Sequence, residues 1–124
     1  MAYLHDDVFD DGLSGGLDDV IENLYITSAE ATTYAEAQTT YKLGTKATPA
    51  TTGPANGDVS GRKLTIDAIT DGTVDSTGTA THWALTDNSE SKLLATGALD
   101  SSQGVTATNT FTLTAFDIEI PDPA

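Results

Sequence analysis

The chain has 124 residues, 19 acidic against 5 basic side chains, a formal net charge of −14 and no cysteine. The length suits one small core, and the lack of cysteine excludes a disulfide framework, a thiolate nucleophile and a zinc–thiolate site. So negative a field repels phosphate backbones and anionic bilayers, which excludes nucleic acid and membrane as expected partners; a hydrophobic content of only 38% points to association with other chains as a source of stability.

From the N-terminus, Met1-Ala-Tyr-Leu-His-Asp-Asp has neither a basic n-region nor an apolar h-region, and no apolar run approaches about 18 residues. Neither a standard secretion signal nor a membrane-spanning helix is expected. Residues 1–10 read as an acidic arm. Leu13, Leu17, Val20, Ile21 and Leu24 then follow the spacing of an amphipathic helix over 11–23. Gly12, Gly15 and Gly16 each weaken that helix by about 1 kcal/mol relative to Ala, so it depends on packing. The expected organisation is an arm with a short helix over 1–23 and one β domain over 24–124.

Leu24-Tyr-Ile-Thr27 predicts a first strand. Thr33-Tyr-Ala-Glu36 has the capping-box pattern, in which Thr and Glu satisfy each other's exposed backbone donors, and predicts a short helix over 33–41. Thr45 to Gly61 gathers Thr, Pro, Gly, Ala and Asn with almost no large apolar residue, and reads as a long exposed loop. Four alternating runs follow, over 62–69, 79–85, 92–99 and 110–120, separated by Asp-Gly, Ser-Thr-Gly, Asp-Asn-Ser and Ser-Gln-Gly. In Thr110-Phe-Thr-Leu-Thr-Ala-Phe116 alternation sends Phe111, Leu113 and Ala115 to a core and threonine hydroxyls to water or a partner. The fold class is therefore mainly β, a small antiparallel β-sandwich or barrel with an N-terminal arm and one or two short helices. Trp83, Leu85, Phe111, Leu113, Ile66 and Leu94 are its expected core.

No catalytic, cofactor or metal residue is assigned. Setting Gly12 as the turn glycine of a calcium loop puts Asp7, Phe9, Asp11 and Asp18 at positions one, three, five and twelve, and Phe9 cannot ligate. Asp71-Gly72 is accounted for as a turn, since Asp bonds its own backbone and Gly accepts positive φ. His82 has no Gly-x-Ser-x-Gly elbow to serve, and its neighbour Trp83 shares a face with Thr81 and Leu85, as a core anchor would. Four cations, Lys42, Lys46, Arg62 and Lys63, lie around the 42–63 segment. An acidic arm and a less acidic flank suit contact between chains. The partner-binding candidates are accordingly Tyr3, Leu4, Val8, Phe9 and Leu13 of the arm with Lys42, Lys46, Arg62 and Lys63.

Gly-Arg-Lys-Leu-Thr-Ile-Asp-Ala-Ile-Thr-Asp-Gly (61–72), Gly-Thr-Ala-Thr-His-Trp-Ala-Leu-Thr-Asp (78–87), Leu-Leu-Ala-Thr-Gly-Ala-Leu (93–99) and Phe-Thr-Leu-Thr-Ala-Phe-Asp-Ile-Glu-Ile-Pro-Asp (111–122) resemble a family of small virion proteins of tailed bacteriophages and prophages. Tyr-Ile-Thr-Ser-Ala-Glu-Ala-Thr-Thr-Tyr-Ala-Glu-Ala (25–37) looks like the same family, which often has Cys and Pro where this chain has Thr27 and Ala31. The resemblance covers most of residues 13–122 and implies a structural role in the particle without distinguishing head from tail. Solubility, the lack of cysteine, a compact β fold and latching extensions favour the head. The expected function is a non-enzymatic capsid decoration (cement) protein on the outer head surface, made in the host cytoplasm, bound to the major capsid protein as a homo-oligomer, a trimer. A tail or neck structural protein and a glycan-binding module for host attachment are the alternatives.

Overall fold

The computed structural model describes residues 6–121. In chain order these form α1 (Asp6–Ser14), a 3-10 turn (Asp18–Val20), β1 (Asn23–Thr27), a π-helical turn (Glu36–Thr40), β2 (Lys42–Ala47), β3 (Thr51–Asn56), β4 (Arg62–Ile66), β5 (Ile69–Val74), β6 (Gly78–Asp87), β7 (Lys92–Val105), β8 (Thr110–Leu113) and β9 (Phe116–Ile120). The fold is mainly β, as expected, and each strand pairing among the described residues is antiparallel. Among the described residues the chain interleaves two compact units, one made of 6–20, 50–68 and 114–121 and the other of Ile21–Pro49 and Ile69–Leu113.

The first unit is a three-stranded sheet of order β3-β4-β9, with α1 against β4 and β3. Register pairs Arg62 with Ile120, Leu64 with Ile118 and Ile66 with Phe116, so these six share one face while Lys63 and Thr65 point to the other. Leu64 and Ile66 are completely buried, and Leu13 of α1 is buried with them in the core.

Two expectations are corrected here. The N-terminal helix occupies Asp6–Ser14 instead of 11–23, because the backbone N–H groups of Gly15 and Gly16 both turn back to the Asp11 carbonyl, at 2.9 and 3.4 Å, and close it. The apolar spacing that continues past the glycines is met by a separate 3-10 turn and by β1. The 45–61 segment is not a long loop: β2 runs to Ala47 and β3 occupies Thr51–Asn56, leaving only short connections. Threonine suits a pleated edge strand, pairing Thr51 with Ile66 and Thr52 with Thr65. Pro54 fits because β3 is an edge and the ladder skips from Thr52 to Ala55 around it.

The second unit is a six-stranded sheet of order β7-β6-β1-β2-β5-β8. Central β1 has both faces covered, with Leu24, Tyr25, Ile26 and Thr27 all at most 3% exposed. One register row crosses five strands as Gly97, Trp83, Ile26, Gly44 and Val74, and forms part of the core. Its glycines are seats for rings. The Phe111 ring occupies the space a side chain would take on Gly44 and Gly72, and Trp83 lies over Gly97. The adjacent row, on the opposite face, reads Thr96, Ala84, Tyr25, Thr45, Thr73 and Thr110. Tyr25 and Ala84 of that row are covered by Ala31 and Ala37, with Tyr41 and Leu93 packed alongside.

The segment bearing Ala31 and Ala37 is turned by the expected Thr33 and Glu36, though as a π-helical turn over Glu36–Thr40. Glu36 N–H donates to Thr33 Oγ1 at 3.2 Å, while the Glu36 carboxylate accepts from Thr32 N–H at 2.9 Å in place of Thr33. At the far end of the sheet the edge strands approach each other, and Gln103 Nε2 donates to the Thr112 carbonyl at 3.0 Å.

Trp83, Leu85, Phe111, Leu113 and Ile66 are buried as expected, Ile66 in the three-stranded sheet. Leu94 is half-buried, since β7 shifts register between Ala95 and Leu93 and leaves it as the extra residue. The 110–120 run divides at Thr114 into strands of different sheets, which leaves Ala115 exposed. The seat under Trp83 gives a direct test. A Cβ on Gly97 would lie 2.5 Å from the Trp83 ring, so Gly97→Ala should cost about 1 to 3 kcal/mol through overpacking. The variant should melt earlier, and the emission of this sole tryptophan should shift to the red; unchanged melting and emission would show that the ring has room to spare.

Candidate functional site

The four cations of the less acidic flank are each held by a carboxylate of their own unit. In the first unit Arg62 Nε and Nη2 grip Asp10 Oδ1 and Oδ2 at 2.7 and 3.2 Å, and Nη1 donates to Asn56 Oδ1 at 2.7 Å. This bidentate pair, its guanidinium side chain only 16% exposed, fastens α1 to the start of β4. Lys63, on the opposite face of β4, lies 2.7 Å from Asp58 and 3.3 Å from Asp117. Asp58 raises the pKa of Lys63 most, helped by Asp117. In the second unit Lys46 pairs with Asp71 at 3.1 Å, and Lys42 lies 3.9 Å from Asp75 and 5.8 Å from the centroid of the Tyr25 ring.

Of the arm candidates, Val8 is exposed on α1 and Leu13 is buried, which makes Leu13 a core residue of the first unit. Phe9 lies within α1. Tyr3 and Leu4 lie outside the described residues. The candidates are thus brought together only in part: Val8, Arg62 and Lys63 belong to the first unit, and Lys42 and Lys46 to the second.

Around Lys63 the fold builds a polar cluster that the sequence does not reveal. Thr65 Oγ1 donates to Asp117 Oδ1 at 2.7 Å, and Asp58 N–H donates to Glu119 Oε1 at 2.7 Å. Register explains the meeting, since Lys63 pairs with Glu119 and Thr65 with Asp117 across β4 and β9. The Thr65 hydroxyl, followed by Lys63, holds the Asp117 carboxyl below its ordinary value. The only signal in the sequence was the alternation Asp117-Ile-Glu-Ile120, which shows a polar face but not what faces it.

His82 accepts or donates to Thr81 Oγ1 through Nδ1 at 2.8 Å, and its Nε2 is 3.8 Å from Glu30. Buried Thr27 and Thr86 are bonded, to the Ala29 carbonyl at 2.8 Å and to Asn88 at 2.6 Å. Among the aromatic residues that could stack a sugar, Trp83 and Tyr25 are buried and Tyr34 and Tyr41 half-buried. Among the described residues no group of three or more His, Asp or Glu is placed to hold a metal ion, and no helix is long and apolar enough to cross a membrane. No protein-family model matches the sequence, and neither does a curated protein or a solved structure.

The Asp117 cluster has a pH signature. A carboxyl whose folded pKa lies below its unfolded one adds stability above the unfolded value and loses it as pH falls through the folded value. Thr65→Val removes the main cause of the shift, so it should lower the melting temperature at pH 6. That difference should close as pH falls below the ordinary 3.8 of this carboxyl. A gap that stays constant down to pH 2 would mean that the hydroxyl does not act through Asp117.

Proposed function

We propose that this protein is a structural protein of a tailed-phage virion, and specifically a decoration protein that binds the outer face of the head shell and stiffens it against internal DNA pressure. The partner is the major capsid protein, and the protein acts as a homo-oligomer.

The observation that carries this reading is the disposition of charge. Lys42, Lys46, Arg62 and Lys63, four of the five cationic side chains, are neutralised inside their own units. The surplus of 14 negative charges is therefore what a partner meets. Such a surface stays soluble at high local concentration and is repelled by packaged or free nucleic acid, so attraction is left to a cationic protein face. The resemblance of residues 61–122 to small virion proteins supplies the setting for that face. A small β framework with no cysteine suits a protein that must persist outside the cell in any redox environment.

Purified protein mixed with head particles that lack it should bind in hundreds of copies per particle, counted by quantitative mass spectrometry. Binding should weaken as salt rises from 50 to about 500 mM, because screening shortens the reach of surface charge to a few Å. A handful of copies per complete particle would move the protein to the tail or neck. Absence from purified particles would overturn the virion role.

A further inference from the structure

The connection between β3 and β4, Gly57-Asp58-Val59-Ser60-Gly61, is fixed before any partner arrives. Gly57 N–H donates to the Gly61 carbonyl at 2.9 Å, and Asp58 N–H is held by Glu119 at 2.7 Å. The Asp58 carboxylate is held in turn by Lys63 Nζ at 2.7 Å. Gly61 has a φ of +69°, and a side chain there would run into the Ile120 carbonyl. What this frame presents is Val59, 97% exposed. An ordered backbone that holds one apolar side chain wholly in water gains nothing from it in folding, whereas a rigid knob binds with little ordering cost.

A second observation concerns the same part of the first unit. The other exposed large apolar residue among the described ones is Val8, 55% exposed. It lies on α1 two residues before Asp10, and Asp10 is paired to Arg62, three residues after Val59. The two exposed apolar side chains thus flank the two halves of one ion pair. Beside the hairpin Asp58 and Asp117 share Lys63, while Glu119 accepts from the Asp58 backbone N–H, so three carboxylates surround one lysine and the knob stands in a negative setting.

The geometry points to the β3–β4 hairpin as the docking element, with Val59 inserting into an apolar socket rimmed by lysine or arginine side chains on the shell protein, and Val8 at its margin. This rests on the decoration reading and names the surface through which it is carried out. Apolar contact at the centre with opposite charge around it is how compact interfaces concentrate their affinity.

The test uses the full chain and shell particles that lack it. Because Val59 touches almost nothing, Val59→Ser and Val59→Asp should keep the melting temperature and circular dichroism of the wild type. Val59→Ser should weaken particle binding roughly tenfold and Val59→Asp more, while Ser101→Asp, which adds the same charge on β7 of the other unit, should stay within about twofold. Wild-type affinity in both Val59 variants would overturn the knob and leave the decoration role standing, and so would equal losses in Val59→Asp and Ser101→Asp. If wild type does not bind, both fall. If Val59→Asp instead dissociates an oligomer of the free protein, the socket belongs to a second copy, and the assignment to the shell is overturned.

Discussion

Strand β1 must bury both of its faces, and the second unit is arranged around that requirement. Ile26 looks into the row of Trp83 and the glycines, and Tyr25, one residue earlier, looks the opposite way. A strand buried on one side needs only a sheet; one buried on two needs a cover as well. The segment carrying Ala31, Ala37 and Tyr41 is that cover, and the Thr32, Thr33 and Glu36 bonds turn it back over the sheet. On the core side the aromatic residues are few, so each is seated deeply, over backbone that carries no Cβ. Small residues beneath large rings restore interior packing density where bulk is scarce.

Charge is managed differently. With so few cations, each one that is paired serves as a fastener: Arg62 ties a helix to a strand, and Lys63 joins a hairpin to β9. Exposed single pairs contribute little stability, but the half-buried bidentate Arg62–Asp10 pair fixes orientation as well as attraction. Among the remaining carboxylates Asp11, Asp19, Glu30, Glu90 and Asp100 face water while Asp87 is buried, and polar outer faces of the sheets go with that exposure. The row Thr45, Thr73, Thr110 is the plainest case, with Thr45 donating to Asp75 at 2.7 Å.

Strands whose alternation pairs large apolar residues with polar ones were legible in the sequence: β4, β6 and β8 stand where Leu64 and Ile66, Trp83 and Leu85, or Phe111 and Leu113 recur at period two. β3 was not, because Thr-Thr-Gly-Pro-Ala-Asn has no large apolar residue, and its place is decided by pairing with β4. The helix was misplaced because apolar spacing ran on through two glycines that end it. Arg62 and Lys63 were legible as candidates, yet the identity of their partners, Asp10 52 residues away and Asp117 54 residues away, is a matter of topology. Val59 carried no signal, since one apolar residue in a polar connection has no period to read.

The switch of sheets at Thr114 decides when the protein can exist as it emerges from the ribosome. The three-stranded sheet takes its last strand from Phe116–Ile120, whose partner β4 was made some fifty residues before. Until β9 arrives, β4 has one ladder unformed and the apolar face bearing Leu64 and Ile66 lacks Ile118 and Phe116 beside it. The six-stranded sheet needs nothing after Leu113. Its strands can therefore assemble first, while the unit that carries the hairpin matures only once β9 has been made. The frame of the β3–β4 hairpin, which takes Glu119 from β9, is thereby completed only after the six-stranded sheet can form.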